Sequence, residues 1–215
     1  MEQQPPPPYD FIDSDNYDDK ILKPDDVDVH SISSAGSQHA PNQLLHVYFD
    51  SWKGRDGKVY DSDKQTILYD FALRMRKPQM TLREPNSETT IATINRHTWS
   101  GKMDATFRDQ DFPLGAGTCI RKGSDVHYDS PAFAQALTWK RKTIWVILPI
   151  TLIDASGIEI ATFTPVTARR KLGRLQVFRS DLSREQVDEV VFTAIAIMQD
   201  TYNHTSANAA VVATS

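Results

Sequence analysis

Val190-Val191-Phe192-Thr193-Ala194-Ile195-Ala196-Ile197-Met198 is the stretch on which the architecture turns. Only Thr193 in it is polar, and at about 100° per residue such a run goes fully round a helix axis and leaves no face for water. A helix of this kind has to be enclosed by other elements. The β-branched residues alone would suit a central strand equally well, so the choice rests on the flanks. Ser183 and Gln186 have the spacing of a capping box, in which each side chain accepts from the other residue's backbone N–H. Glu185, Asp188 and Glu189 put negative charge in the first turns, where the helix dipole favours it. The expected helix spans about 184–203. Its apolar part is far short of the roughly 20 residues that cross a bilayer. Burying it would stabilise the fold by on the order of 10 kcal/mol, before ordering entropy is subtracted.

Upstream, the pattern changes to short strands. Ordered structure is expected to begin near 43, at Leu44-Leu45-His46-Val47-Tyr48-Phe49, followed by a turn-rich connection holding Gly54 and Gly57. Strands then read over 66–75, 79–83, 89–95 and 102–108, separated by Pro78, by Glu84-Pro85-Asn86-Ser87 and by Ser100-Gly101. Residues 109–131 read as loop. Strands resume over 133–139, 145–153 and 158–164, with Asp154-Ala155-Ser156-Gly157 as a tight hairpin. A second turn is expected around Lys171-Leu172-Gly173, leading into a strand over 174–178. About eight to ten antiparallel strands before one enclosed helix imply a sheet curled into a barrel around it, because closure both covers the helix and removes exposed edges. The fold class is therefore mainly β, with one buried C-terminal helix.

The net charge of −4 conceals an asymmetry. Residues 1–43 carry nine acids against Lys20 and Lys23, a net of −7, so the remainder is about +3. A mildly basic body suits an anionic partner. Residues 1–42 read as a disordered acidic, proline-rich tail and 205–215 as a frayed C-terminal tail, leaving 43–204 as the barrel domain. A single cysteine, Cys119, excludes an intramolecular disulfide framework, and the first residues show no secretory signal, which points to the cytosol or nucleus, the cytoplasm being the expected location.

Thr138-Trp139-Lys140-Arg141, Ile153-Asp154-Ala155-Ser156-Gly157 with Ile160-Ala161-Thr162-Phe163, Gly173-Arg174-Leu175-Gln176-Val177 and Asp188-Glu189-Val190-Val191-Phe192-Thr193 together resemble a fungal domain family of unknown function in the tubby C-terminal-like superfamily. The resemblance covers roughly 44–202. It implies a barrel of about a dozen strands around a central C-terminal helix. For function it implies a link to lipids, since tubby proteins bind phosphoinositides and related scramblases act on phospholipid asymmetry. No lipid-binding position of those proteins maps onto a residue here.

Two basic clusters are the candidate lipid-binding residues: Lys140, Arg141 and Lys142, flanked by Trp139 and Trp145, and Arg169, Arg170 and Lys171 with Arg174. Each cation near an anionic membrane contributes about 1 kcal/mol, and tryptophan favours the interface. Pro6-Pro7-Pro8-Tyr9 resembles the Pro-Pro-x-Tyr ligand of WW domains, whose prolines preset the extended helix that an aromatic groove recognises. Asp125, His127 and Asp129 alternate, so an extended backbone puts them on one side, yet such polar loop residues are more often plain than metal-ligating, and no metal is assigned. No nucleophile elbow, phosphate loop or paired-histidine zinc motif is present, and no cofactor is implied. Small net charge and the lack of a helix-turn-helix or RNA-binding signature argue against nucleic acid. The sequence thus points to a non-enzymatic, membrane-peripheral barrel binding anionic phospholipid or phosphoinositide. A WW-recruiting adaptor is the alternative, and an unrecognised enzyme the third.

Overall fold

Twelve strands and one helix make up the structure, a computed structural model that describes residues 42–50, 55–97, 102–115, 125–141, 148–166 and 170–212, with side chains as far as Tyr202. Contacts along the chain divide it into Met1–Ser37 and Gln38–Ser215, and every described residue falls in the second unit. In chain order the strands are β1 (Gln43–Phe49), β2 (Asp56–Tyr60), β3 (Ile67–Leu73), β4 (Met80–Arg83), β5 (Thr90–Arg96), β6 (Met103–Phe107), β7 (Gln110–Leu114), β8 (Val126–Ser130), β9 (Gln135–Lys140), β10 (Ile150–Ile153), β11 (Glu159–Pro165) and β12 (Lys171–Val177). The helix α1 (Arg184–Val212) follows.

All pairings are antiparallel and form one sheet in the order β7-β6-β5-β4-β3-β2-β1-β12-β11-β10-β9-β8. The first and last strands of the chain's β region thus pair with each other, β1 against β12 with Leu45 opposite Leu175. The two edges, β7 and β8, approach without a ladder, the Phe112 and Tyr128 rings lying 5.7 Å apart. The barrel is nearly closed.

Its interior is occupied by the helix. Val190 to Met198 are at most 4% exposed, so the run with no polar face is enclosed as its sequence requires. Contacts come from different sectors of the wall. Phe107 of β6 stacks on Phe192 with centroids 6.4 Å apart, and the Trp139 indole of β9 donates to Thr193 Oγ1 at 3.0 Å. The same hydroxyl donates to the Glu189 carbonyl at 2.9 Å, which accounts for the one polar residue in the run. The capping box forms as expected. Ser183 N–H donates to Gln186 Oε1 at 3.0 Å and Gln186 N–H to Ser183 Oγ at 3.2 Å.

Several boundaries differ from the sequence reading, each for a local reason. The segment read as loop over 109–131 contains β7 and β8. Pro113 lies in β7, which is tolerable because an edge strand leaves one side of its ladder unpaired. His127 and Asp129 are exposed between buried Val126, Tyr128 and Ser130, an alternation that its polar half obscured. Two glycines read as turn residues lie inside strands. Gly57 of β2 faces the Phe71 ring and Gly173 of β12 faces the Phe163 ring, with no room for a Cβ. The turn at Asp154 is as expected, its carboxylate accepting from the Ser156 and Ile158 N–H groups at 2.9 Å, with Gly157 at φ 81°. The helix continues to Val212, past the expected end at Asn203.

Candidate cationic rim

Because every neighbouring pair is antiparallel, the connections alternate between the two barrel ends. The lower rim, where α1 begins, holds the β2–β3, β4–β5, β6–β7, β8–β9 and β10–β11 turns and the link from β12 into the helix. The upper rim, toward which α1 runs, holds the other six. Among the described residues, the upper connections carry Arg55, Arg74, Arg76, Lys77, Lys102, Arg141 and Arg170 against Asp50 and Asp125. The lower connections carry Lys64, Arg108 and Arg179 against Asp61, Asp63, Glu84, Glu88, Asp109, Asp154 and Asp181. The barrel is electrically polar along its axis. A surface charge of one sign concentrates counter-ions and steers charged partners to that end.

Among the described residues of the upper connections, the strongest concentration is the β3–β4 hairpin, Arg74-Met75-Arg76-Lys77-Pro78-Gln79. Met75 is 90% exposed. Its neighbours Arg74, Arg76 and Lys77 are also exposed, and with Arg55, Ala72, Thr81 and Arg83 they line a cleft of about 520 Å³. The hairpin is held in place from below. Arg74 N–H donates to the Gln79 carbonyl at 2.8 Å, and Gln79 N–H to the Ile94 carbonyl at 2.9 Å. The Gln79 side chain bridges to Arg96, donating to its carbonyl at 3.3 Å and accepting its N–H at 2.8 Å. The Arg74 guanidinium is partly used within the protein, pairing with Asp56 at 2.7 Å and donating to the Leu73 carbonyl at 2.9 Å. Arg76 and Lys77 have no such structural duty in the contacts seen here. A smaller cleft of about 230 Å³ adjoins on the outer wall, where Asp50, Asp56 and Asp70 are balanced by Lys58 and Arg83.

The residues picked from sequence are distributed differently. Lys140 and Arg170 are exposed at this same upper rim. Arg141 points inward instead. Its side chain is 4% exposed and its Nη1 lies 3.9 Å from Asp200 Oδ2, so it serves the enclosed part of the helix and is not a surface contact. Burial pulls the Arg141 guanidinium below its usual range, while Asp200 and Asp125 oppose that pull. Lys171 and Arg174 are half-buried on the outer wall, with the Lys171 ammonium 5.3 Å from the centre of the Tyr48 ring and Arg174 opposite His46. Lys142, Arg169, Trp145 and Cys119, like Pro6, Pro7, Pro8 and Tyr9, lie outside the described residues. Arg74, Arg76 and Lys77 stand together in the sequence, but reading 66–75 as strand hid the exposed turn that holds them, and Arg55 before β2 and Arg83 in β4 join them only through strand register.

Other polar groups belong to the barrel's own assembly. Asp188, 1% exposed, receives Tyr69 Oη at 2.7 Å, Arg108 Nη2 at 2.5 Å and Arg184 Nε at 2.8 Å, closing the lower end around the first turns of α1. His127 and Asp129 share the outer face of β8 as expected, but His127 Nδ1 lies 2.9 Å from Thr138 Oγ1. Among the described residues no three His, Cys, Asp or Glu side chains converge on one point that a metal would fill, and no helix is long and apolar enough to cross a membrane.

Glu189 is a buried acid inside the wall, its Oε2 accepting the Ala132 N–H at 2.8 Å. Burial pushes its carboxyl up, against the opposing pull of Ser130, the Ala132 N–H and Tyr128. A carboxyl whose folded pKa is raised binds its proton more tightly in the fold than in the unfolded chain. Its contribution is therefore fully present below the ordinary value of 4.5 and is lost as pH rises through the folded value. Glu189→Gln keeps the acceptor and removes the ionisation. Urea denaturation at pH 5 and pH 8 is expected to show a smaller loss of stability between the two pH values for Glu189→Gln than for the wild type. An equal loss in both would show that Glu189 does not carry the pH dependence.

No family model, no curated protein and no solved structure matches this chain. The functional reading therefore rests on its own geometry.

Proposed function

We propose that the barrel binds peripherally to anionic phospholipid surfaces, phosphoinositides included, with its upper rim toward the membrane. The observation that carries this reading is Met75, a large apolar side chain 90% exposed in a hairpin with a fixed base and bracketed by Arg74, Arg76 and Lys77. An isolated exposed methionine needs no explanation. One set among cations at the more positive end of a polar barrel has the composition of a membrane contact, in which cations meet lipid phosphates and the apolar tip enters the interface. Arg55, Arg76 and Lys77 supply about 3 kcal/mol of attraction at about 1 kcal/mol each, and Arg74, whose charge is partly met by Asp56, supplies less. Burying Met75 adds about 1.5–3 kcal/mol. The cleft between them offers several guanidiniums to one phosphorylated head group, and paired N–H donors in a fixed fork suit phosphate oxygens. The resemblance to the tubby C-terminal-like superfamily supports the same reading, as does the enclosure of the apolar helix, which leaves the rim rather than the helix to meet lipid.

Flotation with liposomes containing or lacking phosphoinositide, at low and physiological salt, tests it directly. Binding should be selective for anionic vesicles and weaken with salt. Arg76→Glu/Lys77→Glu, which alters two exposed side chains outside the fold's ion pairs, is expected to lower the partition coefficient by at least about thirtyfold. Arg179→Glu at the lower rim should leave it unchanged. Equal losses from both variants, or none from either, would refute the upper rim as the contact.

A further inference from the structure

The described methionines divide sharply: Met80, Met103 and Met198 are 2%, 5% and 0% exposed, whereas Met75 is 90% exposed. Met75 stands in a hairpin whose base is fixed: Arg74 N–H donates to the Gln79 carbonyl, and Gln79 is in turn bonded to Ile94 and Arg96 of β5. On the lipid reading above, on which this inference rests, that thioether sits at the depth of the membrane interface. The oxidants carried there are acyl-chain hydroperoxides, whose polar group is drawn toward the interface.

We infer that Met75 is a sulfoxidation site for membrane-borne lipid hydroperoxides, and that its oxidation releases the barrel from the membrane. The thioether sulfur attacks the terminal peroxide oxygen. A sulfur–oxygen bond forms, the oxygen–oxygen bond breaks, and the proton of the attacked oxygen passes to the departing alkoxide, which leaves as a lipid alcohol. Sulfur is oxidised by two electrons and the hydroperoxide is reduced by two. Arg76 and Lys77, exposed beside Met75, carry N–H donors for the departing oxygen. The product is a polar sulfoxide where an apolar tip had been, so the hairpin keeps its cations and loses its hold on the apolar layer. Binding should then fall to the salt-sensitive, electrostatic part.

The test uses the full chain with phosphatidylcholine–phosphatidylserine vesicles, intact or with a fraction of acyl chains converted to hydroperoxide, followed by peptide mass spectrometry and flotation. On peroxidised vesicles Met75 is expected to gain one oxygen while Met80, Met103 and Met198 do not, and the partition coefficient to fall about tenfold. Hydrogen peroxide in solution at the same hydroperoxide concentration should oxidise Met75 more slowly. Met75→Leu, which has no sulfur to oxidise, should give the same partition coefficient on peroxidised as on intact vesicles, whatever its affinity for the intact ones. Three results would overturn the inference: an unmodified Met75 on peroxidised vesicles that the protein binds, an oxidised Met75 with undiminished binding, or faster oxidation by the soluble peroxide. Failure of the wild type to float with intact anionic vesicles would instead overturn the lipid reading, and this inference with it.

Discussion

Asp200→Ala is expected to lower the unfolding free energy by about 3–5 kcal/mol, the range for stripping one partner from a buried ion pair. Asp200 lies near the upper end of the enclosed part of α1 with its side chain 2% exposed. Arg96 Nη2 lies 3.1 Å from its Oδ1 and Arg141 Nη1 3.9 Å from its Oδ2. Arg96 follows β5 up from one sector of the wall and Arg141 leaves β9 in another, so one carboxylate ties two sectors to the helix between them. The two guanidiniums differ in what they could do on its removal. Arg96 is 25% exposed and can turn toward water, but Arg141 is 4% exposed and would keep most of its charge out of solvent. The loss is therefore mainly the cost of a poorly compensated buried cation. Asp125, which accepts the Arg141 backbone N–H at 3.3 Å and lies near enough to favour its charge, offsets part of it.

A double-mutant cycle measures this. With Arg141→Met, a side chain of similar length and no charge, Asp200→Ala should cost less than it does alone, because the cation left behind is then only Arg96, which can turn toward water. Urea denaturation of the four proteins gives the coupling. A loss below about 1 kcal/mol for Asp200→Ala, or strict additivity in the cycle, would show that the ion pair does not tie the helix to the wall. The same placement makes Arg141→Ala a stability change rather than a lipid-binding change, in contrast to Arg76 and Lys77.

The helix and its enclosure were legible because a single run carries both facts: no polar face, and a cap at its start. Twelve strands were harder. Alternation is readable where one face is apolar, as in Met103, Ala105 and Phe107 of β6. It fades in β8, where His127 and Asp129 face outward on an edge strand, and in β7, where proline resembles a loop signal. The cationic rim was only partly legible. Contiguous runs such as Lys140-Arg141 stand out in sequence, yet Arg141 is directed inward by Asp200, a residue 59 positions away. Arg55 and Arg83 look isolated until β2, β3 and β4 pair and bring them to the hairpin cleft. Charge clustering by register cannot be read before the register is known.

Glycines mislead sequence reading for a related reason: Gly57 and Gly173 look like turn residues and lie inside strands. Gly173→Ala is expected to cost about 3 kcal/mol or to prevent folding, at the upper end of overpacking changes. Gly173 has no need of a left-handed backbone; it is a strand residue in β12, between Leu172 and Arg174, facing Phe163 of the neighbouring β11. A methyl group built there would overlap the Phe163 ring, with Cζ at 2.6 Å, and stand 2.6 Å from the Thr164 carbonyl oxygen. The ring could swing away only by giving up a site where it is fully buried, and the carbonyl belongs to the backbone of the adjacent strand. Gly57 against Phe71 repeats the device on the other side of β1, so an aromatic ring covers a strand glycine on each side of the β1–β12 pair in the one sheet. Thermal unfolding monitored by circular dichroism checks the cost. Phe163→Leu in the Gly173→Ala background should recover part of the stability by clearing the ring, while leaving the carbonyl contact. Wild-type stability in Gly173→Ala would mean that the strands part easily at this point, and that the glycine was placed by a turn preference after all.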